Sequence, residues 1–189
     1  RELLHQIGIA FEVIPLREAP ARPADVDETV HPGESADDYV LRVACDKARA
    51  AAGTVEARRI AARPVLAADT TVVCDQLILG KPQNAVDASR MLGLLAGRAH
   101  RVLTAVAVTA EGRLETRVAE SRVWFRALDA AEIRRYVASG EAGDKAGAYA
   151  VQGLAAAFIT RIDGSYSGIM GLPLAETAEL LRSYGIVVP

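Results

Sequence analysis

Residues Ala67 to Pro82 read AADTTVVCDQLILGKP. One carboxylate, Asp69, stands inside a run that is otherwise apolar and β-branched: Val65, Leu66, Ala67 and Ala68 before it, Thr70, Thr71, Val72 and Val73 after it. A short run of this kind, bounded by Pro64 and Asp75, predicts a buried strand. An ionised aspartate is rarely buried without a partner, because taking a charge out of water costs several kcal/mol unless something compensates it. Asp69 should therefore meet a cation, either a side chain or a metal. Asp75-Gln76 predicts a two-residue turn and Leu77-Ile78-Leu79 the return strand, so a hairpin can bring Lys81 of Gly80-Lys81-Pro82 back near Asp69. The plain alternative is a strand-end aspartate in an ordinary salt bridge. On this stretch alone both readings stand, since structural ion pairs produce the same pattern.

The rest of the chain bounds the setting. Its 189 residues suffice for one domain, in one or two lobes, and 51% hydrophobic with 24% charged residues is ordinary for a globular protein. A net charge of −2 offers no basic excess for a nucleic acid polymer. No apolar run reaches membrane-spanning length, and the opening RELLHQIG is not a signal peptide. Cys45 and Cys74 have no metal-ligand spacing; free thiols in a reducing cytoplasm are the simplest account, and a single disulfide between them is the unsupported alternative. His5, His31 and His100 are scattered, which argues against a histidine metal site and for structural or surface roles.

In chain order, Arg1 to Gln6 predicts the end of a helix closed by Gly8. Phe11 to Ile14 predicts a short strand. Leu16 to His31 predicts a proline-rich loop carrying Asp25, Asp27 and Glu28; its stretch Leu16 to Ala24 has no assigned role. Ser35 and Asp38 form a capping box ahead of a helix whose inward face carries Tyr39, Val40, Val43, Ala44 and Ala48. Lys47 falls close to that face, four residues after Val43, where a lysine can also simply extend its ammonium to solvent. Asn84 opens a helix buried through Met91, Leu92 and Leu95 and stopped by Gly97. His100 to Ala110, a turn at Glu111-Gly112, and Leu114 to Phe125 predict a long strand pair, with Trp124 in the core or at an interface. Asp129 and Glu132 cap a further helix ending near Gly140. Gly140 to Gly153 predicts a flexible segment able to wrap a ligand, or a plain surface loop. Ala155 to Ile162 predicts a strand, Tyr166 to Gly171 a polar glycine-rich stretch, and Pro173 the first turn of a last helix ended by Gly185. Four to five helices interleaved with hairpin-joined strands predict an α/β protein with a mixed sheet. G-x-G-x-x-G, P-loop, G-x-S-x-G and HExxH motifs are all absent.

Glu28, Lys47, Asp69, Thr70, Lys81 and Gln152 are the polar residues set in apolar or glycine-rich contexts. Two carboxylates suit Mg²⁺, which binds one or two of them together with substrate phosphates. Lysines neutralise phosphate as point charges. A carboxylate can orient or deprotonate an attacking water, and an amide such as Gln152 can pair with a base edge. This set fits metal-assisted hydrolysis of a nucleotide phosphoanhydride, although spacing alone does not make the residues converge.

ADTTVV…LILGKP, the helix NAVDASRMLGLLAG, HRVLTAVAV, GDKAGAYAVQG and GSYSGIMGLPLAET, with RELL, FEVIP, DVDET, HPGES and DKA upstream, make the chain resemble the Maf family of nucleotide pyrophosphatases over essentially its whole length. The resemblance implies a single Maf-like domain over 1–189, with an elongated mixed sheet flanked by helices and two lobes around a cleft, of the Maf/ITPase-like kind. It implies cleavage of nucleoside triphosphates to the monophosphate and pyrophosphate with a divalent cation, Mg²⁺ or Mn²⁺. By motif, Asp69 is the catalytic proton acceptor, Glu28 and Asp69 hold the metal, Lys47 and Lys81 contact phosphates, and Thr70 and Gln152 set base specificity. Ala68-Asp69-Thr70 with Lys145 to Gly153 is similar to members preferring dTTP and UTP, rather than to those reading SDQ and preferring 7-methyl-GTP. The name septum-formation inhibitor, attached to the family, leaves a second class of function open, a non-catalytic regulator of cell division. A homodimer, a cytoplasmic location and no membrane or nucleic acid polymer partner complete the expectation. The family also begins with a strand and an S-x-S-P-R-R segment. Here the sequence starts at Arg1, just past the position of that pair, so this phosphate-binding segment is expected ahead of the sequence given.

Overall fold

Helix α2, Ala36–Ala57, starts where Ser35 ends the extended chain: the Ser35 hydroxyl oxygen accepts from the Asp38 N–H. The expected capping box is only half formed, because the Asp38 carboxylate accepts from the Ser35 hydroxyl itself at 2.7 Å. The computed structural model describes residues 1–16, 25–59 and 63–188. Of the stretch Leu16 to Ala24, all but Leu16 lies outside the described residues. The inward face of α2 buries Tyr39, Val40, Val43, Ala44, Ala48 and Ala51.

The hairpin at the centre of the sequence forms as its residues dictate. Strand β1, Val65–Cys74, pairs antiparallel with β2, Leu77–Leu79, in the register Val72 to Leu79. Asp75 and Gln76 both have positive φ, 49° and 66°, the combination of a type I′ turn, whose twist matches that of paired strands. Glu111 and Gly112, at φ 51° and 77°, repeat the device between β3, Ala99–Ala110, and β4, Arg113–Phe125. β4 pairs antiparallel with β5, Ile159–Asp163. The five strands form one sheet in the order β2-β1-β3-β4-β5, flanked by helices.

The other helices are α1, Glu2–Gln6; α3, Ala85–Leu95; α4, Ala130–Ala138; α5, Tyr166–Ile169; and α6, Leu174–Ser183. Asn84 caps α3 through the Val86 and Asp87 N–H groups, and Asp129 with Glu132 closes a complete capping box on α4. Three expectations need correction. Residues 11–14 form no strand. Residues 154–158 form a 3₁₀ turn before β5, because the Glu141 carboxylate accepts from the Leu154 and Ala155 N–H groups and caps that turn. Tyr166 to Ile169 is a short helix, started by Ser165, whose hydroxyl oxygen accepts from the Gly168 N–H.

The chain divides into two compact units: 1–69, 104–118 and 171–189 form the first, and 70–103 and 119–170 the second. In the first, Val106 and Val108 of β3 pack with Leu180 and Leu181 of α6, and Leu3, Leu4 and Leu66 pack against this cluster. In the second, Leu92 and Leu95 of α3 pack with Val72, Val123, Tyr149 and Phe158. Trp124 is half-buried there, with the Arg161 guanidinium 4.6 Å from its ring centre. No helix among the described residues is long and apolar enough to cross a membrane.

Candidate active site

The first unit brings together three of the residues singled out in the sequence. α2 carries Lys47 on the line of Tyr39 and Val43, so its stem leaves the buried face and its ammonium reaches β1. There Lys47 Nζ donates to Asp69 Oδ1 at 2.7 Å and stands 2.9 Å from Glu28 Oε1. The Asp69 side chain is 9% exposed, Lys47 21% and Glu28 43%, so the pair closes from the inside outward. Burial opposes the Lys47 charge, but attraction and hydrogen bonding from Asp69, followed by Glu28, outweigh it and hold its pKa above the ordinary lysine value. The buried aspartate therefore has the cation that its apolar surroundings demand. Nearby, the Tyr39 hydroxyl is pushed up to about 12 by burial and by the charges of Asp69 and Glu28.

Glu28 sits on a segment without regular structure, and the helix α2 holds it. The Tyr39 hydroxyl donates to the Glu28 carbonyl at 3.0 Å, while Arg42 donates to the carbonyls of Asp27 and Thr29 at 2.9 and 2.8 Å. Glu34 in turn takes the Arg42 fork on both oxygens, at 2.6 and 2.9 Å. Arg42 and Glu34 escape a reading of the sequence because they are eight residues apart, beyond any helical pairing rule, and Tyr39 reads as core.

Thr70, Lys81 and Gln152 belong to the second unit. Successive strand residues face opposite sides, so Thr70 shares the strand face of Val72 and Cys74. Lys81 is exposed, and its charge is one of those that keep the Asp144 carboxyl low, behind the hydrogen bond from Lys145. The Gly80 carbonyl beside it accepts from the Gly147 N–H at 3.1 Å. Gly147 has φ 67°, and a Cβ there would come within 2.9 Å of the Val72 side chain, so only glycine docks this segment so closely.

Gln152 is exposed between fixed neighbours. The Ala150 N–H donates to the Tyr136 hydroxyl, which donates to Glu141; that carboxylate also takes the Leu154 N–H at 2.8 Å. At Gly153 a Cβ would lie 2.2 Å from a Glu141 oxygen. Tyr149 is anchored by a 2.8 Å hydrogen bond between its hydroxyl and His100 Nε2. Residues 140–153 are thus an ordered, half-buried segment rather than a plain surface loop. Cys45 and Cys74 are both free, and burial pushes both thiols up.

Fold and site together define an α/β protein built around a carboxylate–lysine–carboxylate centre. The chain belongs to the Maf-like protein family, whose model matches residues 1–184. It is 53% identical over 189 residues to a Bordetella parapertussis protein named dTTP/UTP pyrophosphatase, covering 100% of this chain and 89% of that one. Proteins of the same name from Nitrosomonas europaea and Aromatoleum aromaticum are each 53% identical. The first match covers 100% of this chain and 91% of the relative, the second 98% and 90%.

Proposed function

We propose that this protein hydrolyses dTTP and UTP to the nucleoside monophosphate and pyrophosphate. The observation that carries the reading is the meeting of Glu28 and Asp69 on the Lys47 ammonium, at 2.9 and 2.7 Å. A structural ion pair needs one carboxylate, whereas two carboxylates on one lysine form a centre of hard oxygen donors beside a phosphate-binding cation. The name carried by the relatives supplies the substrate class.

The donor set fits a divalent cation such as Mg²⁺ or Mn²⁺. Both groups are carboxylates, and such ions take one or two of them together with substrate phosphates. Glu28 and Asp69 would hold it, and when bound it neutralises charge on the phosphates.

In this reading Asp69 accepts a proton from water, whose oxygen attacks the α-phosphorus. The bond from that phosphorus to the bridging oxygen breaks, and the electron pair leaves on pyrophosphate. Lys47, held protonated by its two carboxylates, remains a positive charge at neutral pH and stabilises the phosphates together with Lys81. Gln152, with Thr70, reads the base edge. Two free thiols fit a chain working in a reducing cytoplasm.

The test is product analysis with Mg²⁺ or Mn²⁺ and a panel of dTTP, UTP, CTP, ATP, GTP and 7-methyl-GTP. Monophosphate and pyrophosphate from dTTP and UTP are the expected outcome. Preference for 7-methyl-GTP or another purine would overturn the base assignment, and no turnover by a folded sample would move the chain to the non-catalytic division regulator.

A further inference from the structure

We infer that Arg42, assisted by Tyr39 and locked by Glu34, is the positioning residue that sets the Glu28 carboxylate for metal binding. The inference rests on the metal role proposed for Glu28 and goes beyond it, since none of these three residues touches the reacting groups in that reading.

The geometry is specific. Three consecutive carbonyls, of Asp27, Glu28 and Thr29, each accept a hydrogen bond from an α2 side chain: Arg42 Nη1 at 2.9 Å, the Tyr39 hydroxyl at 3.0 Å and Arg42 Nη2 at 2.8 Å. The guanidinium is not free to rotate away. Its Nε and Nη2 are held by the two oxygens of Glu34, and Glu34 Oε2 also accepts the His31 N–H at 3.0 Å. The hydrogen bond from Arg42 leads in pulling the Glu34 carboxyl down to about 2, so the lock stays ionised throughout the neutral range. A ligand on irregular chain must otherwise lose its conformational freedom when the ion binds. Here the backbone on both sides of Glu28 is fixed beforehand, and the side chain, 43% exposed, needs only to turn. Only a planar fork can span two carbonyls and a carboxylate at once; a lysine ammonium at this position keeps the charge and loses that span.

The test is a Mn²⁺ titration followed by electron paramagnetic resonance, with saturating α,β-methylene-UTP, on the native protein, Arg42→Lys, Tyr39→Phe, Glu28→Gln and Arg42→Lys/Glu28→Gln. Groups that orient metal ligands typically contribute about 10- to 100-fold in metal affinity. Arg42→Lys should therefore weaken Mn²⁺ binding at least about tenfold, and Tyr39→Phe, which keeps the buried ring and removes one bond, several-fold. In the Glu28→Gln background Arg42→Lys should change the affinity less than about twofold, because a residue acting through Glu28 has nothing left to position. Weakened but measurable binding in Glu28→Gln, with native affinity in both Arg42→Lys and Tyr39→Phe, would overturn the positioning role alone. An equal loss from Arg42→Lys with and without Glu28 would do the same. No Mn²⁺ binding by the native protein, or native binding in Glu28→Gln, would overturn the metal role of Glu28 and this inference with it.

Discussion

Lys47 Nζ and Asp69 Oδ1 lie 2.7 Å apart, joining the middle of α2 to β1 within the first unit. The contact answers the question that Asp69 poses as a lone carboxylate in an apolar strand. It also makes the pair testable as a stabilising element separately from any chemistry.

Lys47→Met removes the ammonium 2.7 Å from Asp69, whose side chain is 9% exposed. Removing one partner of a fully buried pair costs about 3–5 kcal/mol, and this centre is partly open, so a loss of about 2 kcal/mol is expected in urea unfolding at pH 7. The native pKa of Lys47 lies above the ordinary value of 10.5, so its stabilisation is complete below that value and disappears as pH rises through the folded-state pKa. The gap between native and Lys47→Met stability should stay constant from about pH 7 to 9 and narrow above pH 10.5. A gap that narrows in the neutral range would contradict the assignment.

His100 gives the opposite pH dependence. It is 3% exposed, its Nδ1 has no hydrogen-bond partner among the described residues, and burial pushes its pKa down from 6.5 to about 4. The unfolded chain then binds a proton that the folded chain refuses. Stability from the neutral ring is fully present above about pH 6.5 and is lost as pH falls towards 4, by up to about 3 kcal/mol. His100→Gln should flatten that part of the stability profile while leaving the carboxylate-driven loss below it. Parallel profiles for the two proteins between pH 4 and 6.5 would show that His100 does not drive it.

Gly153→Ala should displace the Glu141 carboxylate, because the added Cβ would stand 2.2 Å from one of its oxygens. The N–H groups of Leu154 and Ala155 then lose their acceptor, at a cost of about 1–3 kcal/mol. With the base-reading role proposed for Gln152, loss of the fixed end of its segment should lower the UTP-to-GTP ratio of kcat/KM. Gly143→Ala, where a Cβ meets nothing within 4 Å, should stay within about 0.5 kcal/mol of native and keep the ratio. A native ratio in a folded Gly153→Ala protein would remove the link between this brace and base selection.

Much of this was legible in the sequence where a single residue dictates local geometry. Asn84 and Asp129 start helices because their side chains satisfy N–H groups that the helix leaves open. Asp75-Gln76 turns the chain, and Asp69 required a cation that Lys47 supplies. The misses share a cause, which is long-range polar contact. Residues 154–158 look like the start of a strand by composition, yet a carboxylate 13 residues upstream of Leu154 caps them into a 3₁₀ turn. Arg42 looks like an exposed helix residue, yet its donors go to a segment 13 and 15 residues away. No periodicity or short motif encodes such pairings.

The most direct measurement is turnover of dTTP by Asp69→Asn beside the native protein, with Mg²⁺ and with folding followed by circular dichroism. Asparagine keeps the shape and a hydrogen-bond acceptor for Lys47 but cannot take a proton from water. General-base catalysis is typically worth about 10²–10⁴-fold, so release of pyrophosphate should fall by at least about 10²-fold while the fold is retained. Native turnover by a folded Asp69→Asn protein would contradict the role given to this carboxylate.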